Sequence, residues 1–249
     1  MKYLVVFGDD YINNKLMANM QSNNDLLCIT ERHRADLAIK RVLKRKHDSI
    51  SGKLYKLLFF VYYIIFLKKK IYIRLDEIYE KKIINNMPKV KVDDINSESC
   101  IDMIRKMDFD AVLVFGVSIL GKEWLDIDKP IINVHLGIAP KYRGRFCWFW
   151  PIIYKDYGSI GVTCHFITDK VDEGEIVLQR YLDERVAIGS NFIDIFVNII
   201  ELSYGAISEL LNLNKPVSTK KQETFELPNK VFYEPGIDDY IRFVKNLDN

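Results

Sequence analysis

Two stretches, DAVLVFG at 110–116 and PIINVH at 130–135, decide the fold. Each is a short, almost unbroken apolar run, the pattern of a strand covered on both faces. Working outward, Lys2–Phe7 is a similar run that ends at Gly8, and Leu26–Ile29 is another. Arg34–Lys46 and Lys53–Leu67 read as helices. Within NSESCIDMIRKM, Ser97 is a good N-cap and Ile101, Ile104 and Met107 recur at helical spacing. A helix around Trp148–Lys155, strands at Ile160–Ile167 and Glu175–Leu182, and a long helix from Asn191 to Leu211 complete the pattern. Strands alternating with helices predict a doubly wound α/β domain with a largely parallel sheet.

The chain has 249 residues, 49% of them hydrophobic and 28% charged, so it can bury a sizeable core and is neither collagen-like nor disordered. Residues 1–211 read as the core and 212–249 as a short C-terminal extension, with the polar stretch Asn212–Glu223 as the boundary. The net charge of +2 does not predict a nucleic-acid partner. It conceals a block, however: residues 31–70 hold 12 Lys and Arg against three acids, a surplus of +9 that leaves −7 elsewhere. Most of these charges read as a solvated helix face, and part of the block lies where a nucleotide diphosphate would be expected if the first half of the core holds one. Within it, LLFFVYYIIFL at 57–67 is shorter than the roughly 20 residues of a spanning helix. It reads as a helix buried in a domain or dimer core; the sharper alternative is a peripheral membrane contact with basic flanks meeting anionic lipid.

Cys28, Cys100, Cys147 and Cys164 are widely spaced and predict buried, reduced thiols. MKYLVVFGDD lacks the pattern of a signal peptide, so the expected compartment is the cytoplasm. There is no G-x-S-x-G, no P-loop, no H-E-x-x-H and no G-x-G-x-x-G, and Asp9-Asp10 after Gly8 would repel a phosphate. No metal cluster stands out.

The chemistry is expected between residues 130 and 178. Alternation along a strand turns Asn133 and His135 to one face, at the carboxyl end where open α/β sheets bind ligands. An amide can donate to a developing oxyanion and an imidazole can move a proton. Asp172, 37 residues after His135, lies in a loop from which a carboxylate could orient that imidazole. On spacing alone, such a set occurs in many enzymes and many non-enzymes.

The run IINVHLGIAPKYRG at 131–144, followed by GVTCHFITDKVDEGEIV at 161–177, resembles the N10-formyltetrahydrofolate-dependent formyltransferases. The resemblance is good over roughly residues 90–182 and implies the Rossmann-like formyltransferase fold. It implies that Asn133, His135 and Asp172 are catalytic: Asn133 and protonated His135 hold the oxyanion formed when an amine attacks the formyl carbon, and Asp172 keeps His135 charged or helps take the amine proton through water. It also implies N10-formyltetrahydrofolate as co-substrate without a metal, held largely by main-chain groups of two loops. Gly116, Ser118, Ile119 and Leu120 belong to one, and Ile167 and Asp169 to the other. His165, in the same motif, reads as a structural strand residue.

Within the family, a short extension, the absence of a glycine-rich phosphate loop and the absence of a preceding regulatory domain resemble the sugar N-formyltransferases. Those act on nucleotide-linked 4-amino-4,6-dideoxy sugars (dTDP or UDP) for surface glycans. Tyr142, Arg143, Gly144, Arg145, Trp148 and Trp150 are the expected acceptor contacts, since aromatic faces suit a deoxyhexose or base and arginines a diphosphate; Trp148 and Trp150 also suit core packing. Thr224–Ile237 would form a hairpin-like extension that builds a homodimer. Methionyl-tRNA and glycinamide ribonucleotide formyltransferases are the alternatives inside the family, and a decayed folate- or nucleotide-sugar-binding module is the alternative outside it. One departure is visible: Leu136-Gly137 follows His135 where the family often has Pro.

Overall fold

The computed structural model describes residues 1–20, 26–32, 35–46, 48–79, 89–212 and 231–247. Its elements in chain order are β1 (Tyr3–Asp9), α1 (Tyr11–Asn19), β2 (Leu26–Arg32), α2 (Ala35–Lys44), α3 (Ile50–Tyr62), α4 (Lys68–Ile78), β3 (Lys89–Val92), α5 (Glu98–Arg105) and β4 (Ala111–Phe115). Then follow β5 (Ile131–His135), β6 (Arg143–Gly144), α6 (Trp150–Ile153), β7 (Gly161–Phe166), β8 (Ile176–Tyr181), α7 (Glu184–Ile188), α8 (Phe192–Leu211), β9 (Val231–Phe232) and α9 (Ile237–Leu247). Seven strands form one sheet in the order β3-β2-β1-β4-β5-β7-β8. β3 through β5 in that order run parallel, and β7 and β8 are antiparallel.

The central strands are apolar on both faces because both are covered. Tyr3, Val5 and Phe7 of β1 and Leu113 of β4 face a large core with α8, α9 and the α3–α4 helix, while Leu4, Val6, Val112 and Val114 face a second layer built on α5. Sequence chemistry sets the helix starts. Ser97 Oγ accepts from Cys100 N, and Asn191 Oδ1 accepts from Ile193 N and Asp194 N, satisfying otherwise orphaned first-turn donors. All four cysteines are buried and none forms a disulfide, and burial pushes the Cys28 thiol up to about 11 and Cys164 to about 12.

Three features depart from the sequence reading. β3, KVKV, is a four-residue edge strand whose charged alternation gives little apolar signal. α9 lies in the segment read only as a short C-terminal extension, yet it buries Phe243 against Phe149 and Trp148. The helix read as Lys53–Leu67 starts earlier and runs on: α3, a π-turn at Tyr63–Leu67 and α4 make one rod from Ile50 to Ile78. Within 57–67 only Phe59 and Leu67 are buried, so the core of a single chain does not enclose this run. The first half of the expected hairpin at 224–237, residues 224–230, lies outside the described residues.

Candidate active site

Residues 131, 133 and 135 of β5 alternate with Ile132 and Val134, which enter the main core. Asn133 and His135 therefore point to the opposite face, beyond the edge of the apolar layer that α5 covers. β7 is antiparallel to β5 in a register that sets His165 opposite Asn133 and Thr163 opposite His135. Four polar side chains thus meet on one face of a two-strand ladder, because Val162 and Cys164 take the core side.

Asp172 completes the group. Its Oδ2 lies 3.4 Å from His135 Nδ1, and its Oδ1 lies 3.3 Å from His165 Nε2 and 3.5 Å from Asn133 Nδ2. The backbone N–H of Gly144 donates to Oδ2 at 2.8 Å. Burial works to raise this carboxyl's pKa, but His135, the hydrogen bond from His165 and the Gly144 N–H together hold it well below the usual carboxylate range. Asp172 therefore stands as a carboxylate.

His135 Nε2–H donates to the carbonyl of Tyr142 at 2.9 Å while Nδ1 faces Asp172. An imidazolium, a donor at both nitrogens, satisfies both acceptors at once. His165 Nδ1–H donates to the Phe166 carbonyl at 2.8 Å, which leaves Nε2 to accept from the Asn133 amide at 3.3 Å or, when protonated, to donate to Asp172. His165 is thus part of the site and not merely a strand residue. The signal that could have found it is the alternation of Thr163 and His165, which acquires meaning only with the antiparallel pairing to β5.

The loop after His135 is fastened from below. Thr163 Oγ1 donates to the Gly137 carbonyl and accepts from Ala139 N, and Gln179 Nε2 donates to both Thr163 Oγ1 and the Ala139 carbonyl. At Gly137 a Cβ would lie 2.6 Å from His135 Nε2, so the residue after Leu136 must be glycine for the ring to keep its place. Gly144 adopts φ +101, and a Cβ there would strike the Phe232 carbonyl. It pairs in parallel with Phe232 of β9, so the C-terminal segment braces the loop that binds Asp172.

The expected acceptor contacts separate. Arg143 is buried and forms an ion pair with Glu173 of the Asp172 loop, with Lys170 also on that glutamate at 3.3 Å. Tyr142 is buried, stacks on Phe232 and donates its hydroxyl to Asp156 at 2.8 Å. Trp148, 3% exposed, packs among Phe149, Phe192, Phe196 and Phe243. All three side chains are buried, but by different neighbours: Trp148 is walled in by α8 and α9, whereas Tyr142 and Arg143 are held by Phe232 and Asp156 and by Glu173. Trp150 is half-buried, its indole N–H shared between the Arg145 and Tyr233 carbonyls, and Arg145 reaches the surface beside Glu234 at 3.1 Å.

On the other rim, Glu31 accepts the backbone N–H of Ser118 at 2.6 Å and so sets the loop after β4. Asn96 holds the same loop, donating to the Ile119 carbonyl and accepting from Gly121 N. Ile119 is 80% exposed at its tip, while Leu120 and Ile167 pack on the α5 layer and Asp169 is exposed in the other loop. Near β1, Asp10 caps α1 and Asp9 takes Asn14 and Lys91, and Gly8, Gly116 and Asn13 close on one another. That end holds no phosphate cradle.

Residues 69–185 match the formyl transferase family. This stretch, a little under half of the chain, is similar to a formyl transferase domain. Its relatives include the methionyl-tRNA formyltransferase of Clostridioides difficile (strain 630), 28% identical over 179 residues, which are 68% of this chain and 56% of that protein. The chain spans about half the length of the curated relatives it matches. Solved structures with this fold include a 4-N formyltransferase from Francisella tularensis, with TM-score 0.55 and 17% identity, covering 97% of this chain and 87% of that one. Another is the N-formyltransferase of Helicobacter canadensis in complex with folinic acid and dTDP-3-aminofucose, with TM-score 0.54 and 18% identity, covering 93% of this chain and 71% of that one. At these identities the likeness is one of fold. Asn133, His135, His165 and Asp172 all lie inside the matched formyl transferase domain.

Proposed function

We propose that this protein is an N-formyltransferase that moves a formyl group from N10-formyltetrahydrofolate to the amine of a nucleotide-linked amino-deoxy sugar, in the cytoplasm, for surface-glycan synthesis. The observation that carries the transfer chemistry is the convergence of Asn133, His135 and His165 on the Asp172 carboxylate, on the polar face of β5. The folate fits the rims: Ile119 at one loop tip and Val171 in the other offer exposed apolar surface, and both loops have main-chain groups for a pterin. When bound, the folate supplies the activated formyl carbon.

The chain's own groups do the rest. Asn133 Nδ2 donates to the formyl oxygen as it gains charge. His135 supplies the second donor by releasing the Tyr142 carbonyl, and the Asp172 carboxylate, 3.4 Å from Nδ1, orients its ring. The same carboxylate, through water, is placed to take the proton from the attacking amine as the new C–N bond forms and to return it to N10 as the C–N10 bond breaks and tetrahydrofolate leaves. His165 holds the Asn133 amide in orientation from the far side.

The sugar acceptor is supported by the fold likeness to an enzyme whose complex contains dTDP-3-aminofucose, and by Arg145 and Trp150 at the mouth of the bracing loop. The sequence relatives favour methionyl-tRNA as a second reading. Incubating the protein with N10-formyltetrahydrofolate and, separately, dTDP-4-amino-4,6-dideoxyglucose, its UDP counterpart, glycinamide ribonucleotide and methionyl-tRNA decides between them. Formylation of a nucleotide sugar supports the proposal, and formylation of methionyl-tRNA alone replaces it with the second reading. Folate binding with no acceptor formylated leaves a binding module.

A further inference from the structure

We propose that the outer face of the α3–α4 rod rests on an anionic membrane surface. The rod from Ile50 to Ile78 has a mean hydropathy of 1.6 over its most apolar window, long and apolar enough to cross a bilayer by length and composition. Crossing is ruled out by its packing, because Phe59, Leu67, Ile71 and Leu75 are buried in the main core with Phe149 and Phe192. Opposite that buried face runs a second apolar stripe. Leu54, Leu58, Val61 and Ile65, at spacings of four, three and four, are each between 45% and 60% exposed. The π-turn widens the stripe by carrying Ile64 and Phe66 outward beside Ile65. A soluble surface helix would be polar there.

The charge pattern names the occupant. From Ser49 to Leu75 the sequence contains no acid, and the stripe is bounded by Lys53 and Lys56 at one end and Lys68, Lys69 and Lys70 at the other. Lys56 is tied to Asp48 at 2.7 Å and Lys53 to the Leu43 carbonyl at 2.9 Å, while Lys69 and Lys70 are exposed. The acids at the end of the rod itself, beyond the stripe, are engaged in place: Asp76 by Lys15 at 2.7 Å and Glu77 by Arg74 at 2.7 Å, while Asp194 of α8 lies 3.6 Å from Arg74. A second copy of the chain fits poorly, since both ends of the stripe are basic and either parallel or antiparallel packing sets lysines against lysines. An anionic lipid surface complements both features at once: the apolar stripe enters the acyl boundary and the lysines meet the headgroups. Leu54 to Ile65 span about 16 Å of helix, enough for an in-plane contact.

The test is sedimentation of the whole chain with vesicles of phosphatidylcholine alone and of phosphatidylcholine mixed equally with phosphatidylglycerol. Binding to the anionic vesicles, weakened by salt, is expected. Leu58→Glu with Val61→Glu should lower partitioning more than tenfold, and Lys68→Gln, Lys69→Gln and Lys70→Gln together by on the order of a hundredfold. As a second readout, a fluorophore on Ile65→Cys, selective because the native thiols are buried, should shift to the blue on anionic vesicles. A wild-type chain that stays in the supernatant overturns the proposal, as does binding indifferent to the Glu substitutions or a label that does not shift. So does a solution dimer, blind to vesicles, that Leu58→Glu and Val61→Glu dissociate.

Discussion

Gly144 donates its backbone N–H to the Asp172 carboxylate at 2.8 Å, and both residues stand in the left-handed region, at φ +101 and +53. Two loops far apart in sequence are thereby locked to each other at the atom that faces His135. An Asp tolerates that backbone through its short polar side chain, whereas position 144 tolerates only glycine. Gly144→Ala should cost at least roughly 1–3 kcal/mol of stability from backbone strain alone, with a further penalty from the collision with the Phe232 carbonyl. Chemical denaturation measures it; a variant as stable as the wild type would mean that β9 does not brace the loop.

Asp172→Asn keeps the shape of the side chain and removes its charge. The folded carboxyl titrates below the unfolded value, so its contribution to stability is present above the unfolded pKa of ~4 and is lost as pH falls through the folded value. The thermal midpoints of wild type and variant should therefore differ at neutral pH and converge in acid. Transfer should fall at all pH values, because His135 loses the carboxylate that orients its ring.

Asn133→Ala removes the donor aimed at the developing oxyanion and should lower kcat by roughly 10²–10³-fold. Binding of a folate analogue, followed by fluorescence titration, should change far less, since the proposed pterin contacts lie on the two loops. Equal losses in both quantities would assign Asn133 to binding instead of transition-state stabilisation.

Trp148→Ala should destabilise by roughly 3–5 kcal/mol, the range for deleting a buried aromatic. Trp148→Phe should remain folded with the acceptor KM unchanged. A raised KM in the Phe variant would return Trp148 to the acceptor surface that the aromatic run first suggested.

The sequence carried the sheet well because its central strands are buried on both faces and punctuated by Gly8, Gly116 and Pro130. The trio was legible for a local reason: Asn133 and His135 sit two apart on one strand. Its fourth member was hidden, because His165 joins Asn133 only through the antiparallel pairing of β7 with β5. Within the aromatic run Phe146–Trp150, the burial of Trp148 was hidden for the complementary reason. Composition shows that rings are present, but their burial depends on α9, whose packing turns on Phe243 almost a hundred residues away. The apolar run at 57–67 shows the same limit in reverse, since hydrophobicity on all sides does not tell which side finds a partner.

The most direct test of the site is the rate of radiolabelled formyl transfer from N10-formyltetrahydrofolate to the accepted amine by wild type and His135→Ala, with thermal unfolding as the folding control. A loss of roughly 10²–10⁴-fold in a folded variant is the predicted result, and a folded His135→Ala that transfers at the wild-type rate would contradict the mechanism.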